Sequence, residues 1–129
     1  MDRWLGRHAE RLYALLRIVA GLLFACHGAQ KLFGVLGGTA MTSNPMMLAA
    51  GLIEFGGGLL IAIGLVTSWA AFIASGEMAA AYFMVHAKGG FWPIINKGEL
   101  AVVYCFLFLY IGARGSGPYS VDAIMRRKR

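Results

Sequence analysis

Apolar residues dominate the chain in long runs that glycine-rich and polar segments interrupt. The runs cover about residues 12–36, 46–66, 69–86 and 99–113. An α-helix of about 20 apolar residues is long enough to cross a bilayer core of about 30 Å. The pattern therefore predicts an all-α integral membrane protein, a bundle of four transmembrane helices that forms a single domain over residues 1–129, with a basic tail at 114–129.

Glycine and proline separate these runs. The segment GVLGGTAMTSNP at 34–45 follows the first helix, and KGGFWPIINKG at 88–98 precedes the last. Thr67 and Ser68 form a tight turn in which Ser68 is the expected N-cap of the third helix. Helices two and three are therefore expected to be antiparallel neighbours.

Composition and charge support a membrane protein. The chain is 59% hydrophobic and 14% charged, with a mean hydropathy of +0.66 and a net charge of +6. The excess positive charge lies near the ends of the chain and forms no basic patch with interleaved aromatic residues, which argues against nucleic-acid binding. The basic residues near the two ends are Arg3, Arg7, Arg11, Arg114, Arg126, Arg127, Lys128 and Arg129.

The distribution of lysine and arginine also predicts an orientation. Only Lys31, Lys88 and Lys97 lie near the opposite ends of the predicted spans. Cytoplasmic loops carry the excess of basic residues, so both termini are expected in the cytoplasm of a multi-pass protein of the inner membrane. The lipid bilayer is then the first partner.

The chain has no sequence signal for a metal, haem or iron–sulfur centre. Cys26 and Cys105 lie singly in apolar runs, without a CxxC motif, and are not expected to pair with each other. The three histidines show neither an HxxxH nor an ExxH spacing.

Polar side chains nevertheless occur within the predicted spans. At about 100° per residue, Arg17, His27, Gln30 and Lys31 fall within about 140° on helix one. Such a stripe is expected to face the bundle interior or a neighbouring subunit. The alternative is that Lys31 and Arg17 extend to the outer and inner interfaces.

Two carboxylates lie near the predicted bilayer midplane. Glu54 and Glu77 are each about nine residues, or about 13 Å, inside their helices. An unpaired ionised acid at this depth costs at least about 2.5–3.5 kcal/mol, so each must be protonated, paired or hydrated. Matching the depths suggests that His27 pairs with Glu54 and Arg17 with Glu77.

The surroundings of Glu54 leave two interpretations open. Gly51 and Gly58 lie on the same helix face and would let another helix approach closely. Glu54 then either lines a cofactor or proton site, or clamps two helices together through a structural hydrogen bond. His86 and Glu99, at the outer ends of helices three and four, are expected to form an interfacial polar cluster, pairing with Lys31 or with each other.

Five stretches, in this order and spacing, resemble the DoxX family of small bacterial and archaeal membrane proteins: LLRIVAGLLFACHGAQKLFG, GLIEFGGGLLIAIGLVTSWAA, EMAAAYFMVHAKGGFWP, NKGELAVVYCFLFLY and GSGPYSVD. The resemblance covers about residues 10–122. It implies a four-helix membrane protein, grouped by name with the small subunit of an archaeal quinol oxidase or thiosulfate:quinone oxidoreductase and linked elsewhere to thiol and oxidative-stress systems. The matching motif residues are His27, Gln30, Lys31, Glu54, His86 and Glu99.

The leading hypothesis is a membrane component of a redox system that binds a quinone or docks a redox partner. His27 and Glu54 would supply a hydrogen-bond donor and a proton carrier, with Gln30, Lys31 and Glu77 as further candidates for a ligand or proton site. No residue pattern is typical of a self-sufficient catalytic centre, so an accessory subunit of an oxidoreductase complex is favoured. A structural subunit and a small transporter or proton-coupled exporter, including a homo-oligomer, are the alternatives.

Overall fold

The computed structural model describes residues 2–129, which form helices and connecting loops and contain no β-strand. In chain order the α-helices are α1 (Asp2–Gly6), α2 (Ala9–Phe33), α3 (Pro45–Leu52), α4 (Gly58–Ile63), α5 (Thr67–Met84), α6 (Pro93–Asn96), α7 (Glu99–Arg114) and α8 (Val121–Arg127). Within the described residues, two helical segments are long and apolar enough to cross a membrane, Ala9–Phe33 and Pro45–Ile63.

The second of these segments is a composite helix. A five-residue π-helix, Ile53–Gly57, joins α3 to α4 without a break in the helical backbone. Asn44 begins the segment, because its side-chain oxygen accepts hydrogen bonds from the backbone N–H groups of Met46 and Met47. The π-helix contains Glu54, and such one-turn π segments often occur at functional sites.

Glycines bring α2 and the composite helix into backbone contact. A Cβ atom added at Gly28 would overlap the backbone N of Phe55, and one added at Gly58 would overlap atoms of Gly21 and Ala25. Small residues are the usual means by which membrane helices approach closely. The close approach expected at Gly58 is therefore present, and α2 is the helix that makes it.

The turn between the composite helix and α5 is tight, as expected, but Ser68 is not its N-cap. Val66 occupies the N-cap position in the left-handed region, with φ 44°, and provides no side-chain cap. The carboxylate of Asp122, from the C-terminal segment, instead accepts hydrogen bonds from the backbone N–H groups of Val66 and Thr67. A residue 55 positions away thus replaces the local cap.

Small side chains and a few aromatic rings fill the interior. Phe24, Tyr104 and Phe108 form a cluster in which Phe24 and Phe108 have ring centroids 4.7 Å apart. Alanines of α5 complete the core against α7. Large apolar side chains point outward along α2, α5 and α7, including Leu15, Leu23, Phe72, Val103 and Phe106. This arrangement suits a lipid-facing exterior.

The helix bounds differ from the predicted bounds by at most three residues. Helix α2 ends at Phe33 because Gly34 adopts a left-handed conformation (φ 67°), and the composite helix ends at Ile63 because Gly64 does the same (φ 77°). Helix α5 spans Thr67–Met84 where 69–86 was predicted. The tail at 114–129 contains α8.

Candidate functional site

A cleft of about 640 Å³ opens between α2, the composite helix, α5 and α7. Its walls are mainly apolar and include Phe24, Ile53 and Met78. Polar side chains also reach it, namely those of His27, Lys31, Glu54, Glu77, His86, Lys97 and Tyr104. Four of the five residues that the sequence suggested for a ligand or proton site therefore line one cleft.

Lys31 and Glu54 form an ion pair within this cleft. The Lys31 Nζ atom donates a hydrogen bond of 2.8 Å to Glu54 Oε1. The Glu54 side chain is only 2% exposed, whereas that of Lys31 is 24% exposed. Lys31 thus extends inward from the end of α2 to neutralise a buried carboxylate, and it does not extend to the interface.

Local backbone features hold both members of the pair. The Lys31 backbone carbonyl accepts a hydrogen bond from Met41 N, which folds the loop after α2 back over the helix end. Gly51, one turn before Glu54, lies against Leu32 and Lys31 of α2, because an added Cβ would lie 2.9 Å from Leu32 Cδ2 and 3.2 Å from Lys31 Cβ. The missing side chain at Gly51 therefore leaves room for the lysine.

Glu77 places a second carboxyl group beside the first. It projects from α5 into the same cleft and lies close to the Glu54 carboxyl group. The Oε2 atoms of both glutamates are buried, and neither has a hydrogen-bond donor in the described chain. Two adjacent carboxylates in apolar surroundings do not both ionise readily. A single proton shared between them, with Lys31 charged, leaves the cluster of three side chains neutral.

His27 does not form the predicted pair with Glu54. Its ring packs edge-on against Tyr104, with centroids 6.2 Å apart, and makes no hydrogen bond among residues 2–129. Lys31 lies one turn further along α2, and its longer side chain reaches the carboxylate instead. The His27 ring is half-buried and lines the cleft, where its nitrogen atoms can hydrogen-bond to a ligand.

The expected pairing of Arg17 with Glu77 is also wrong. Arg17 is 1% exposed and donates hydrogen bonds to the backbone carbonyls of Ile61, Ala62 and Tyr119 at the opposite end of the bundle. The Ile61 and Ala62 carbonyls lie in the last turn of the composite helix, where carbonyl groups lack the usual helical partner four residues on, and Ile61 O also accepts from Gly64 N. The Arg17 guanidinium therefore connects backbone segments and does not contact Glu77, whose neighbour is Glu54.

Gln30, His86 and Glu99 are not part of the cluster that Lys31, Glu54 and Glu77 form. Gln30 donates to the Leu36 carbonyl at 2.9 Å and ties down the loop after α2. His86 stacks on Tyr82, with ring centroids 6.4 Å apart, and lines the cleft, whereas Glu99 is exposed at the start of α7. Neither residue makes the predicted ion pair within residues 2–129, because Glu54 already neutralises Lys31.

Three residues with a role in the cleft or in the fold were not among the candidate residues predicted from the sequence. Tyr104 and Lys97 line the cleft from α7 and the loop before it, and Asp122 caps α5. Tyr104 appears in sequence as one of many aromatic residues in an apolar run. Only the packing of α7 against α2, which places this ring beside His27, distinguishes it from the others.

The two cysteines are not bonded to each other. Cys26 is exposed on the outer face of α2, and Cys105 is half-buried beside Ser75. Among residues 2–129, no group of three or more histidine, cysteine, aspartate or glutamate side chains is arranged to hold a metal ion.

Comparison with known proteins gives the family. The DoxX family model matches residues 12–87. A Haemophilus influenzae protein described as uncharacterized is 42% identical over 125 residues, covering 92% of this chain and 93% of the relative. The inner membrane protein YqjF of Escherichia coli strain K12 is 30% identical over 122 residues, covering 87% and 90%. No solved structure matches the chain. The protein therefore belongs to the DoxX family of membrane proteins.

Proposed function

We propose that the protein is an accessory membrane subunit of a redox system, and that its cleft binds the head group of a lipid-soluble carrier of the quinone class. The observation that carries this proposal is the Lys31–Glu54 pair, with its carboxylate buried and Glu77 beside it, in a cleft with mainly apolar walls. His27, Gln30 and Lys31 come from the HGxxKLFG block, which also carries the family resemblance.

The cleft has the size and character that such a ligand requires. Small-molecule sites usually enclose about 300–1,000 Å³ and combine apolar walls with a few convergent polar groups. Here the ammonium of Lys31 and the ring of His27 can donate to a carbonyl head group, while the two carboxyl groups can accept from a hydroxyl. An apolar tail would lie along walls formed by residues such as Met47, Ile73 and Met84.

Proton exchange would be the chemical contribution of the glutamate pair. Reduction of a quinone to a quinol takes up two electrons and two protons. The shared proton of the glutamate pair would supply one of these protons, and the second proton would come from solvent. The two cysteines lie singly, so we assign electron transfer to a partner subunit. The protein then binds and positions the carrier, and the partner carries out the oxidation or reduction.

We further propose that four helical segments cross the inner membrane as one domain, with both termini in the cytoplasm. Two contacts between distant parts of the chain support this topology. Glu10 pairs with Arg114, and the Tyr13 hydroxyl donates to the Gly115 carbonyl at 2.6 Å, so the two chain ends lie at one end of the bundle. An even number of membrane spans places both chain ends on the same side of the membrane. The inner-membrane location of the Escherichia coli relative supports the choice of membrane.

Ligand binding by the purified protein tests the proposal. Protein extracted in mild detergent should retain quinone, detected by mass spectrometry, and should bind a short-chain quinone analogue in a fluorescence titration. Glu54→Gln and Lys31→Gln should each weaken binding by about tenfold or more, because one charge-assisted hydrogen bond contributes about 1.5–3 kcal/mol. Glu99→Gln is the matched control, since this carboxylate lies outside the cleft lining.

The same preparation separates the two alternatives. A transporter would be a homo-oligomer without retained quinone or partner subunits, and would move solute or protons after reconstitution into vesicles. A structural subunit would co-purify with partners but would bind no analogue. Equal binding of the analogue by the wild type and by both cleft variants would remove the cleft from the proposed function.

A further inference from the structure

We infer that the C-terminal helix α8 forms a fixed basic surface that binds the phosphate head groups of anionic lipids. This surface, termed the basic end, consists of the last turns of α8 and the arginines near the start of α2. It lies at the opposite end of the bundle from the cleft mouth, and the inference does not depend on the proposed ligand.

Hydrogen bonds to two parts of the bundle hold the base of α8 in place. Arg17 donates to the Tyr119 carbonyl at 2.6 Å, two residues before the helix begins. The Asp122 carboxylate accepts from Val66 N and Thr67 N, and its own backbone N–H donates to the Gly64 carbonyl at 2.9 Å. The start of α8 is therefore joined to both α2 and the turn before α5.

Anchoring leaves one apolar and one basic part of α8 exposed. Ala123 is buried against the bundle, while Ile124 and Met125 are 51% and 46% exposed. The four residues that follow are all basic and all exposed: Arg126, Arg127, Lys128 and Arg129. Exposed apolar side chains next to a cluster of positive charge are typical of a helix that lies at the bilayer interface.

The N-terminal arginines lie at the same end of the bundle. Glu10 pairs with Arg114, and Gly117 lies against Glu10 and Tyr13, which places the start of α2 beside the segment that leads to α8. Trp4, which is 60% exposed, precedes α2 and suits the interfacial region. Arg7 and Arg11 are exposed close to this contact and add to the positive charge.

The geometry favours a lipid surface over a nucleic acid. The apolar residues Ile124 and Met125 are exposed next to the basic cluster. The turn that anchors α8 lies between the composite helix and α5, at one end of the bundle. A polybasic segment at a membrane gains about 1 kcal/mol, or about fivefold in affinity, for each basic residue near anionic lipid. The occupant that fits is an anionic phospholipid head group.

Lipid retention tests this inference with a charge-matched pair of variants. Full-length protein is purified in mild detergent, and native mass spectrometry compares its binding of phosphatidylglycerol and phosphatidylcholine. The double variant R126Q/R127Q should lose about tenfold or more in phosphatidylglycerol affinity, with little change for phosphatidylcholine. The control K88Q/K97Q removes the same number of charges from the cleft end and should change affinity by less than about twofold.

Asp122→Asn separates placement of the charges from net charge. This variant loses a negative charge, so net charge alone predicts tighter phosphatidylglycerol binding. The asparagine amide has one acceptor oxygen for the two N–H groups of Val66 and Thr67, so the α5 cap weakens and α8 is held less firmly. Placement therefore predicts weaker binding, by about threefold or more, which corresponds to about two-thirds of 1 kcal/mol.

Three results would overturn the inference. These are equal losses in R126Q/R127Q and K88Q/K97Q, tighter binding by D122N, and displacement of the lipid by an equimolar short RNA.

Discussion

The Nζ atom of Lys31 lies 2.8 Å from Glu54 Oε1, and the carboxyl group of Glu77 lies beside that of Glu54 in the same cleft. Lys31, Glu54 and Glu77 thereby form a cluster of three titratable side chains, of which the central one, Glu54, is 2% exposed. Removal of one member leaves the others without compensation, whereas an amide in place of a carboxyl keeps the hydrogen bonding. This difference allows structural and functional roles to be separated by substitution.

Glu54→Leu should destabilise the protein by about 2 kcal/mol or more, because the partly buried Lys31 ammonium would lose its partner. Glu54→Gln should be milder, since the amide oxygen still accepts from Lys31 but the group no longer holds a proton. Thermal unfolding in detergent measures the first effect, and quinone-analogue binding measures the second. If Glu54→Gln binds the analogue normally while Glu54→Leu fails to fold, Glu54 is a structural clamp.

Glu77→Gln should leave the Lys31–Glu54 ion pair intact and remove the shared proton. The wild type should show the infrared C=O band of a protonated carboxylic acid at neutral pH, and the variant should lose it. The charged pair Lys31⁺–Glu54⁻ remains, so the unfolding temperature should change little. Retention of the carboxylic-acid band in Glu77→Gln would mean that the proton belongs to another group, and Glu99→Gln serves as the control for the assignment.

Glycine substitutions test the contact between α2 and the composite helix. Gly28→Ala should destabilise the bundle by about 2 kcal/mol or more, because the new methyl group would overlap the Phe55 backbone. Gly76→Ala is the matched control on α5, where an added Cβ meets no atom within 4 Å. Alanine has the higher helix propensity by about 0.8–1.0 kcal/mol, so this control should be neutral or stabilising. Equal unfolding temperatures for the two variants would contradict the packing described here.

Much of the fold was predictable because its signals are local. Apolar runs of membrane length, Gly34, Gly64 and the Asn44 cap place the helix ends to within three residues. The all-helical membrane class and the family also follow from the sequence. The four-span topology and the chemistry of the site were predicted on the same basis and remain predictions.

The partners of the buried charges were less predictable, because they depend on contacts between distant segments. Depth along the helix favoured His27 for Glu54, but side-chain length and the gap at Gly51 select Lys31. Depth likewise favoured Glu77 for Arg17, whereas Arg17 bonds to Tyr119, 102 residues away. A single sequence gives the position of a charge along its helix but not the carbonyl groups that a folded tail brings to it.

Arg17→Leu provides the most direct test of how the C-terminal segment is held. The substitution removes hydrogen bonds to the carbonyls of Ile61, Ala62 and Tyr119 and leaves three acceptors without this donor. Each hydrogen bond to a charged group contributes about 1.5–3 kcal/mol, so the loss should be about 3 kcal/mol or more. Arg17→Lys should recover only part of it, because an ammonium lacks the planar fork that spans two backbone segments.

Arg114→Leu is the control for Arg17→Leu, since Arg114 is exposed and its pair with Glu10 lies at the surface, where ion pairs contribute about 0–1 kcal/mol. Limited proteolysis gives a readout that global stability does not. Trypsin should cleave after Arg126 or Arg127 in both the wild type and the Arg114 variant, because these residues are exposed. In Arg17→Leu, cleavage should extend to Arg114, since the segment between α7 and α8 loses the Arg17–Tyr119 bond and is held to α2 only by the contacts of Tyr13 and Glu10. Protection of Arg114 in Arg17→Leu would mean that the Asp122 cap and the contacts of Tyr13 and Glu10 hold this segment without Arg17.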